Sequence, residues 1–420
     1  METAEGNEGP VLALPSGRPS SPAWDGDHVI VLGLSSGTSV DGIDVAAARI
    51  DLDGPLVLLT PLGHRTVPYS TRLRRAIRDA LPPGSVTMEA VCRLDTGIGR
   101  EFADAARTAN EELTGGRADL VASHGQTLFH WVDGTTVHGT LQMGQPAWIA
   151  EATGLPVVSD LRAADVAAGG HGAPLAALFD TLLLDGRAEP AAALNLGGMA
   201  NATIVRDGAP PQAFDTGPGN ALIDAAVRRV TNGRADFDAA GTLARSGRID
   251  PTLLEHLLAE PYYRLPPPKS TGPELFGPGH LDTALRRAGT PDAADLLATL
   301  VELTAVSVAD ALRPHGVAEV FASGGGVRNL FLMERLAARL RPARLDTFDA
   351  LGLDGEAKEA YLFALIGFLT WHGIPGSVPA CTGARRASPA GRITPGIRPL
   401  RLPAPVDVLP RRLRVEAPET

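Results

Sequence analysis

Asp215 sits where a carboxylate can do proton chemistry. It follows a short apolar stretch and precedes Thr-Gly-Pro-Gly-Asn220 at an expected helix start. A carboxylate fixed at a strand end beside bound phosphate can serve as a general base. The same position suits an N-cap or Asx-turn aspartate, because Asp is favoured in both. A second candidate is the polar loop Ser35-Ser-Gly-Thr-Ser-Val-Asp-Gly42. Small residues such as Gly37, Thr38 and Ser39 let backbone N–H groups approach an anion, and the hydroxyls add donors. Asp41 and Asp44 can hold Mg²⁺ directly or through water, as that ion prefers. A plain hairpin turn with solubilising acids fits the same residues. The sequence has no Gly-x-x-x-x-Gly-Lys-Ser/Thr, so it is not a P-loop protein and phosphates need another cradle.

Gly197-Gly198 alone is an ordinary turn. Gly324-Gly325-Gly326 stands between a strand and a helix, where bare backbone can pack flat against a nucleotide, although a helix-entry turn competes. Arg162 and Asp165 follow a strand and can meet a sugar acid and its hydroxyls. For Asp165 a surface ion pair is an equal reading. His124, His130 and His138 lack the i, i+4 spacing of a zinc helix, and no cysteine supports them, so a structural or substrate-contact role is preferred to metal binding.

The elements around these residues form a repeated pattern. His28–Leu34 is rich in β-branched and apolar residues and reads as a buried strand. It enters the polar loop and leaves as a second apolar run, Ile43–Ile50, which makes a hairpin. Helical periodicity is expected at 71–80 and about 88–113. Asp119–His124 reads as a strand ending in a His-Gly-Gln turn, and Leu155–Asp160 as another strand. Near Ala191 the opening returns: Ala191–Leu196 as a buried strand, 197–201 as a tight turn, Ala202–Val205 as a second strand. Such duplication is a signal to seek early. Helices are expected at 174–184, 221–229, 292–312, 328–340 and 356–371, with strands at 319–323 and 344–348. The Pro/Gly-rich remainder reads as mostly irregular. Two hairpin-led α/β halves imply two lobes across a cleft, with ligands where glycine-rich turns converge.

Bulk properties agree. A chain of 420 residues suits two domains. A net charge of −10 opposes non-specific nucleic-acid binding. Only Cys92 and Cys381 are cysteines, which fits a reducing compartment. No apolar run reaches membrane-span length, and the first residues lack a signal-peptide pattern. The expected location is cytoplasmic.

Seven segments then stand together in order: Gly33–Asp44, Ser123-His-Gly-Gln-Thr127, Asp160-Leu-Arg162 with Asp165–Leu175, Asn195-Leu-Gly-Gly198, Phe214–Asn220, Pro268-Lys-Ser-Thr-Gly272 and Gly324–Gly326. From about residue 29 to 396 the sequence resembles the anhydro-N-acetylmuramic acid kinase family. The resemblance implies an α/β, two-lobed actin-like (ribonuclease H-like) ATPase fold with a central cleft. It implies ATP and Mg²⁺ as cofactors and a small-molecule sugar substrate, without nucleic acid or membrane. The implied reaction opens the 1,6-anhydro ring with water while ATP phosphorylates O6. Gly37, Thr38, Ser39, Val40, Asp41, Gly42, Ile43 and Asp44 would cradle the ATP phosphates, joined by Gly197, Gly198 and Gly324 to Gly326. Asp215 matches the water-activating aspartate. Glu359 matches a substrate-contacting glutamate, with Arg162, His124 and Asp165 as further substrate residues, and Arg162 suits the lactyl carboxylate. No protein metal cage is expected beyond Mg²⁺ with ATP, near Asp41.

The resemblance departs in places. His171 stands where the family usually has glutamine, and the tail after Cys381 is looser. The expected division is 1–28 as a disordered extension, 29–165 and 166–400 as the two lobes with the chain end free to pack on the first, and 401–420 as a tail. A homodimer is left open. The competing functions are a kinase of another sugar on the same fold and a non-catalytic sugar-sensing ATPase.

Overall fold

The computed structural model describes residues 28–37 and 39–417. Thr38 and the expected disordered extension up to residue 27 lie outside the described residues. Thirteen strands are present among them: β1 (Val29–Ser36), β2 (Gly42–Asp53), β3 (Leu56–Pro68), β4 (Leu120–Asp133), β5 (Thr136–Met143), β6 (Val157–Ser159), β7 (Ala191–Leu196), β8 (Met199–Val205), β9 (Gln212–Pro218), β10 (Glu319–Ser323), β11 (Arg344–Thr347), β12 (Arg392–Thr394) and β13 (Arg412–Val415). They form two sheets. The core of the first runs β3-β2-β1-β4-β6, and the second runs β11-β10-β7-β8-β9. In each, three antiparallel strands lead into two parallel ones. The duplicated pattern in the sequence is therefore a duplicated sheet, as the two-lobed actin-like fold requires.

Separate cores fill the lobes. One joins Leu32, Ile43, Ile98 and Phe102 in the first lobe. Another joins Leu194, Ile223, Leu297 and Val320 in the second. A third lies between them and contains residues of both sheets with the helices Ala176–Leu184 and Lys358–Trp371. Every residue of the Lys358–Trp371 helix is buried except Glu359. Each Leu, Ile or Phe buried there contributes about 1.5–3 kcal/mol relative to exposure, so the helix cannot rotate to hide that one carboxylate. It packs on β1 at backbone distance: a Cβ on Gly33 would lie 2.0 Å from the Ala360 carbonyl oxygen.

One expectation needs correction. The His-Gly-Gln segment does not end a strand. Gly125 takes a left-handed φ of 73°, and the pairing of β4 with β1 shifts there while β4 continues to Asp133. A single bulge does what a turn was expected to do. The remainder after residue 371 is mostly irregular, as expected, although β12 pairs with β6 and β13 pairs with β3. The expected division, 166–400 as the second lobe and 401–420 as a tail, left the chain end free to pack on the first lobe. The helix Lys358–Trp371 packs on β1, β2 and β4, and β12 and β13 extend the first sheet. Alternation of polar and apolar residues is too short in those two strands to be read. No helix among the described residues is long and apolar enough to cross a membrane.

Candidate active site

The polar loop is held from behind. Ser36 Oγ lies 2.8 Å from the Gly42 carbonyl oxygen and 2.7 Å from Gln126 Oε1. Gln126 Nε2 donates to the Gly37 carbonyl at 3.3 Å. Gln126 is fully buried, so the bulge at Gly125 serves to aim it at the loop. Val40 adopts φ 56°, a strained conformation for a β-branched residue and one that concentrates at functional loops. Its side chain and that of Ile43 are buried, so both offer only backbone to a ligand. Gly42 is buried, Gly37 half-buried and Ser39 exposed.

The two acids of this loop have different surroundings. Asp41 is exposed and ion-paired with Arg74, with Arg78 at 3.7 Å. Arg74 also donates to the Val40 carbonyl and Arg78 to that of Ser39. The expected Mg²⁺ role near Asp41 therefore meets a competitor, two arginines of the Thr71–Ala80 helix. Those arginines were not singled out from the sequence, although their i, i+4 spacing was visible. Asp44 is half-buried on β2, with Oδ1 accepting from Thr66 Oγ1 at 2.6 Å and Oδ2 without a hydrogen bond among the described residues. No group of three ligating side chains suited to a metal occurs among the described residues. A nucleotide-borne Mg²⁺ fits this donor set, with Asp44 as the carboxylate on offer.

Next to Asp44 lies a cluster from three elements. His124 on β4 stacks on Phe363 with ring centroids 4.5 Å apart. Its Nδ1 is 3.1 Å from the Gly125 carbonyl, and its Nε2 is 2.8 Å from Arg162 Nε. A carbonyl needs a donor and an arginine an acceptor, which assigns the proton to Nδ1. Burial and Arg162 push the His124 pKa well down, so the ring stays neutral. Arg162 Nη1 donates to the Gly172 carbonyl at 2.6 Å, while Nη2 has no hydrogen-bond partner among the described residues.

Glu359 completes the cluster. Burial pushes its carboxyl up, Arg162 pulls it down, and Asp44 raises it again. Its side chain is nevertheless exposed, which limits the size of that shift. A group surrounded by protein yet open to water lies in a cleft. Asp165 behaves otherwise: 4% exposed, it accepts from Gly172 N and Thr382 Oγ1, both at 2.8 Å. Its carboxylate is spent on holding the 169–172 loop and offers no face to a substrate.

Asp215 lies within β9, and the following helix Ala221–Val230 is entered from Asn220. The helix-cap reading is thereby removed. A bulge shifts the β8–β9 register so that Asn201 faces Asp215 and Thr216 is skipped. Thr216 turns inward, 1% exposed, and lies 3.1 Å from the Ala200 carbonyl. Bulges re-aim side chains in this way beside active sites. Ser270 Oγ and Thr271 N donate to Asp215 Oδ2 at 3.1 and 2.8 Å. Oδ1 has no hydrogen bond among the described residues. Burial pushes the Asp215 carboxyl up, opposed by those two donors and assisted by Glu274.

The glycine turns of the second sheet meet at one corner. The N–H groups of Gly219 and Ala221 donate to the Gly198 carbonyl, and Asn220 N to that of Gly197. A Cβ on Gly326 would lie 2.6 Å from Leu196 Cβ, whereas one on Gly325 would meet nothing. Gly324 and Gly326 thus allow close packing, and Gly325 and Gly198 are exposed. The structure brings together His124, Arg162, Glu359 and Asp44. Asp215 stands on the other sheet, joined to them by no hydrogen bond or ion pair among the described residues.

Comparison with known proteins bears on this arrangement. The family described as anhydro-N-acetylmuramic acid kinase matches residues 29–396. An anhydro-N-acetylmuramic acid kinase of Streptomyces coelicolor is 58% identical over 385 residues, 92% of this chain and 98% of that one. One of Rhodococcus erythropolis is 53% identical over 394 residues, 92% and 99% of the two chains. Among solved structures, a ROK family glucokinase from Streptomyces griseus in complex with glucose and AMPPNP covers 80% of this chain and 97% of its own. It is 15% identical, with a TM-score of 0.34.

Proposed function

The chain belongs to the anhydro-N-acetylmuramic acid kinase family, and we propose from that premise that it converts anhydro-N-acetylmuramic acid, ATP and water into N-acetylmuramic acid 6-phosphate and ADP. The observation that carries the mechanism is the half-free carboxylate of Asp215, held at Oδ2 and open at Oδ1.

In this reading Asp215 Oδ1 takes a proton from water as the water oxygen bonds to C1 of the sugar. The C1–O6 bond breaks, its electron pair goes to O6, and O6 attacks the γ-phosphorus of ATP, releasing ADP. One closed cleft performs both steps, since phosphoryl transfer captures the alkoxide as it forms. Arg162 directs its free Nη2 at the lactyl carboxylate, while neutral His124 fixes the guanidinium plane. Glu359 accepts from sugar hydroxyls. The 37–44 loop surrounds the phosphates, and Gly324–Gly326 lies along the adenosine. Mg²⁺ bound with ATP would be held on the protein side by Asp44 and would supply charge neutralisation on the phosphates. Two free thiols, Cys92 and Cys381, support work in a reducing cytoplasm.

The test is the mass of the product. Incubation with ATP and the anhydro sugar is expected to give a species heavier by one water and one phosphoryl group. A product from a different sugar, made faster and heavier only by the phosphoryl group, would assign the fold to the rival kinase reading.

A further inference from the structure

Of the 38 Lys and Arg residues, only Lys269 and Lys358 are lysine. A sequence so committed to arginine keeps lysine where a guanidinium does not serve, because the ammonium is a compact point charge and the guanidinium a wide planar fork. Lys269 belongs to the segment that crosses behind Asp215. Its Nζ donates to the carbonyl oxygens of Tyr262 and Tyr263, both at 3.2 Å, and lies 4.7 Å from the centroid of the Tyr262 ring. It has no ion-pair partner among the described residues.

These contacts close a ring around the proposed base. Lys269 Nζ holds the Tyr262 carbonyl, the Tyr262 hydroxyl donates to the Asp215 carbonyl at 2.8 Å, and Asp215 N donates to the Lys269 carbonyl at 3.0 Å. The next two residues of the same segment are Ser270 and Thr271, the donors to Oδ2. An ammonium with two carbonyl acceptors thus braces the two hydrogen bonds that, among the described residues, select which oxygen of Asp215 stays free. Between its buried ends at Tyr262 and Phe276 the segment is largely exposed, at Leu265, Pro266, Ser270, Pro273 and Glu274. Without the clamp, the strap keeps its backbone bond at Asp215 N and its buried ends but loses the side-chain tie between Lys269 and the Tyr262 turn.

We infer that Lys269 is a positioning residue for the reaction, which clamps the 262–271 strap so that Ser270 and Thr271 hold Asp215 with one oxygen free. The inference rests on the reading of Asp215 as the base. It goes further in assigning the strap a role in setting the orientation and proton affinity of that base. The charged and titratable groups facing Asp215 are Glu274 from the strap end and Tyr262 from the turn before it. The Ser270 and Thr271 donors stabilise the carboxylate, so releasing them raises its pKa, and the base is then lost at a higher pH.

The test uses Lys269→Met, Ser270→Ala and Asp215→Asn in the full chain, with kcat/KM followed against pH. Lys269→Met is expected to lower kcat about 10²-fold, the cost of a misplaced catalytic group, with KM for ATP unchanged. Its acid limb should move to higher pH. Ser270 is exposed, so Ser270→Ala tests the same point without threatening the fold, and its acid limb should move the same way by a smaller amount. If both variants keep the wild-type acid limb, the strap does not position the base and the inference falls. An inactive Asp215→Asn variant beside that result leaves the function intact. Normal turnover by Asp215→Asn overturns the inference and the assignment of the base together.

Discussion

The corner between β1 and β2 and the corner between β7 and β8 occupy the same place in sheets of the same order, yet they hold their carboxylates differently. Gly42 pairs with Pro68 where β2 meets β3, and Met199 pairs with Pro218 where β8 meets β9. Two residues further in, the first sheet opposes Asp44 to Thr66, and the second opposes Asn201 to Asp215. The carboxylate has changed strands. In the first sheet it is held by Thr66 on the neighbouring strand. In the second it arrives only because the bulge skips Thr216, and it is held by a strap from outside the sheet. The connections differ as well: 37–41 separates β1 from β2, while only Gly197 and Gly198 separate β7 from β8. In the proposed reading the longer polar loop, with Ser39 and Asp41 exposed, is the one that meets phosphate. The two-residue turn, whose carbonyls are taken at the entry to the next helix, stands beside the proposed base. Duplication supplied the frame, and in the proposed reading local departures from symmetry supply the division of labour.

That contrast can be broken by mutating matched positions. Asp215→Asn should lower kcat by roughly 10²–10⁴, the usual cost of a lost general base, with KM for ATP unchanged. Its melting temperature should not fall. A folded-state pKa raised above the unfolded value makes the ionised form costly at neutral pH, so the neutral amide removes a penalty. Arg162→Gln comes next. Loss of a charge-assisted hydrogen bond of about 1.5–3 kcal/mol should raise KM for the sugar roughly 10- to 100-fold, leaving KM for ATP alone. Asp44→Asn, the matched carboxylate of the first sheet, should act mainly on KM for ATP, by less than about tenfold. If it lowers kcat as far as Asp215→Asn does, the two lobes are not divided as described. The smallest effect belongs to Asp41→Ala, whose exposed pairing with Arg74 is worth about 0–1 kcal/mol. KM for ATP should change at most a few-fold, and the change should shrink in high salt.

Much of this arrangement was legible in the sequence, and the exceptions share a cause. Buried strands such as Val29–Ser36 and Ala191–Leu196 announce themselves by continuous apolar runs. Glycine clusters mark the corners, and Asp215 stands out by its neighbours. The bulges at Gly125 and Thr216 do not appear in any periodicity, because one skipped residue changes pairing without changing composition. The loss of Asp165 to internal bonds was equally hidden. Its partners Gly172 and Thr382 lie 7 and 217 residues away, and only the folded chain brings the second of them near. The clustering of His124, Arg162 and Glu359 likewise depends on a helix that follows the second sheet but packs on the first. Buried Gln126, which anchors the polar loop, lies within the Ser123–Thr127 segment, but nothing in the sequence points to its partners.

The central claim is that the carboxylate of the second lobe directs water at the anomeric carbon. It is tested most directly by one turnover in ¹⁸O-water, quenched at once by reduction of the product so that the new hemiacetal cannot exchange. The wild-type product should carry the label on C1 and none in the transferred phosphate. Label in the phosphate, or an unlabelled sugar, would contradict the account.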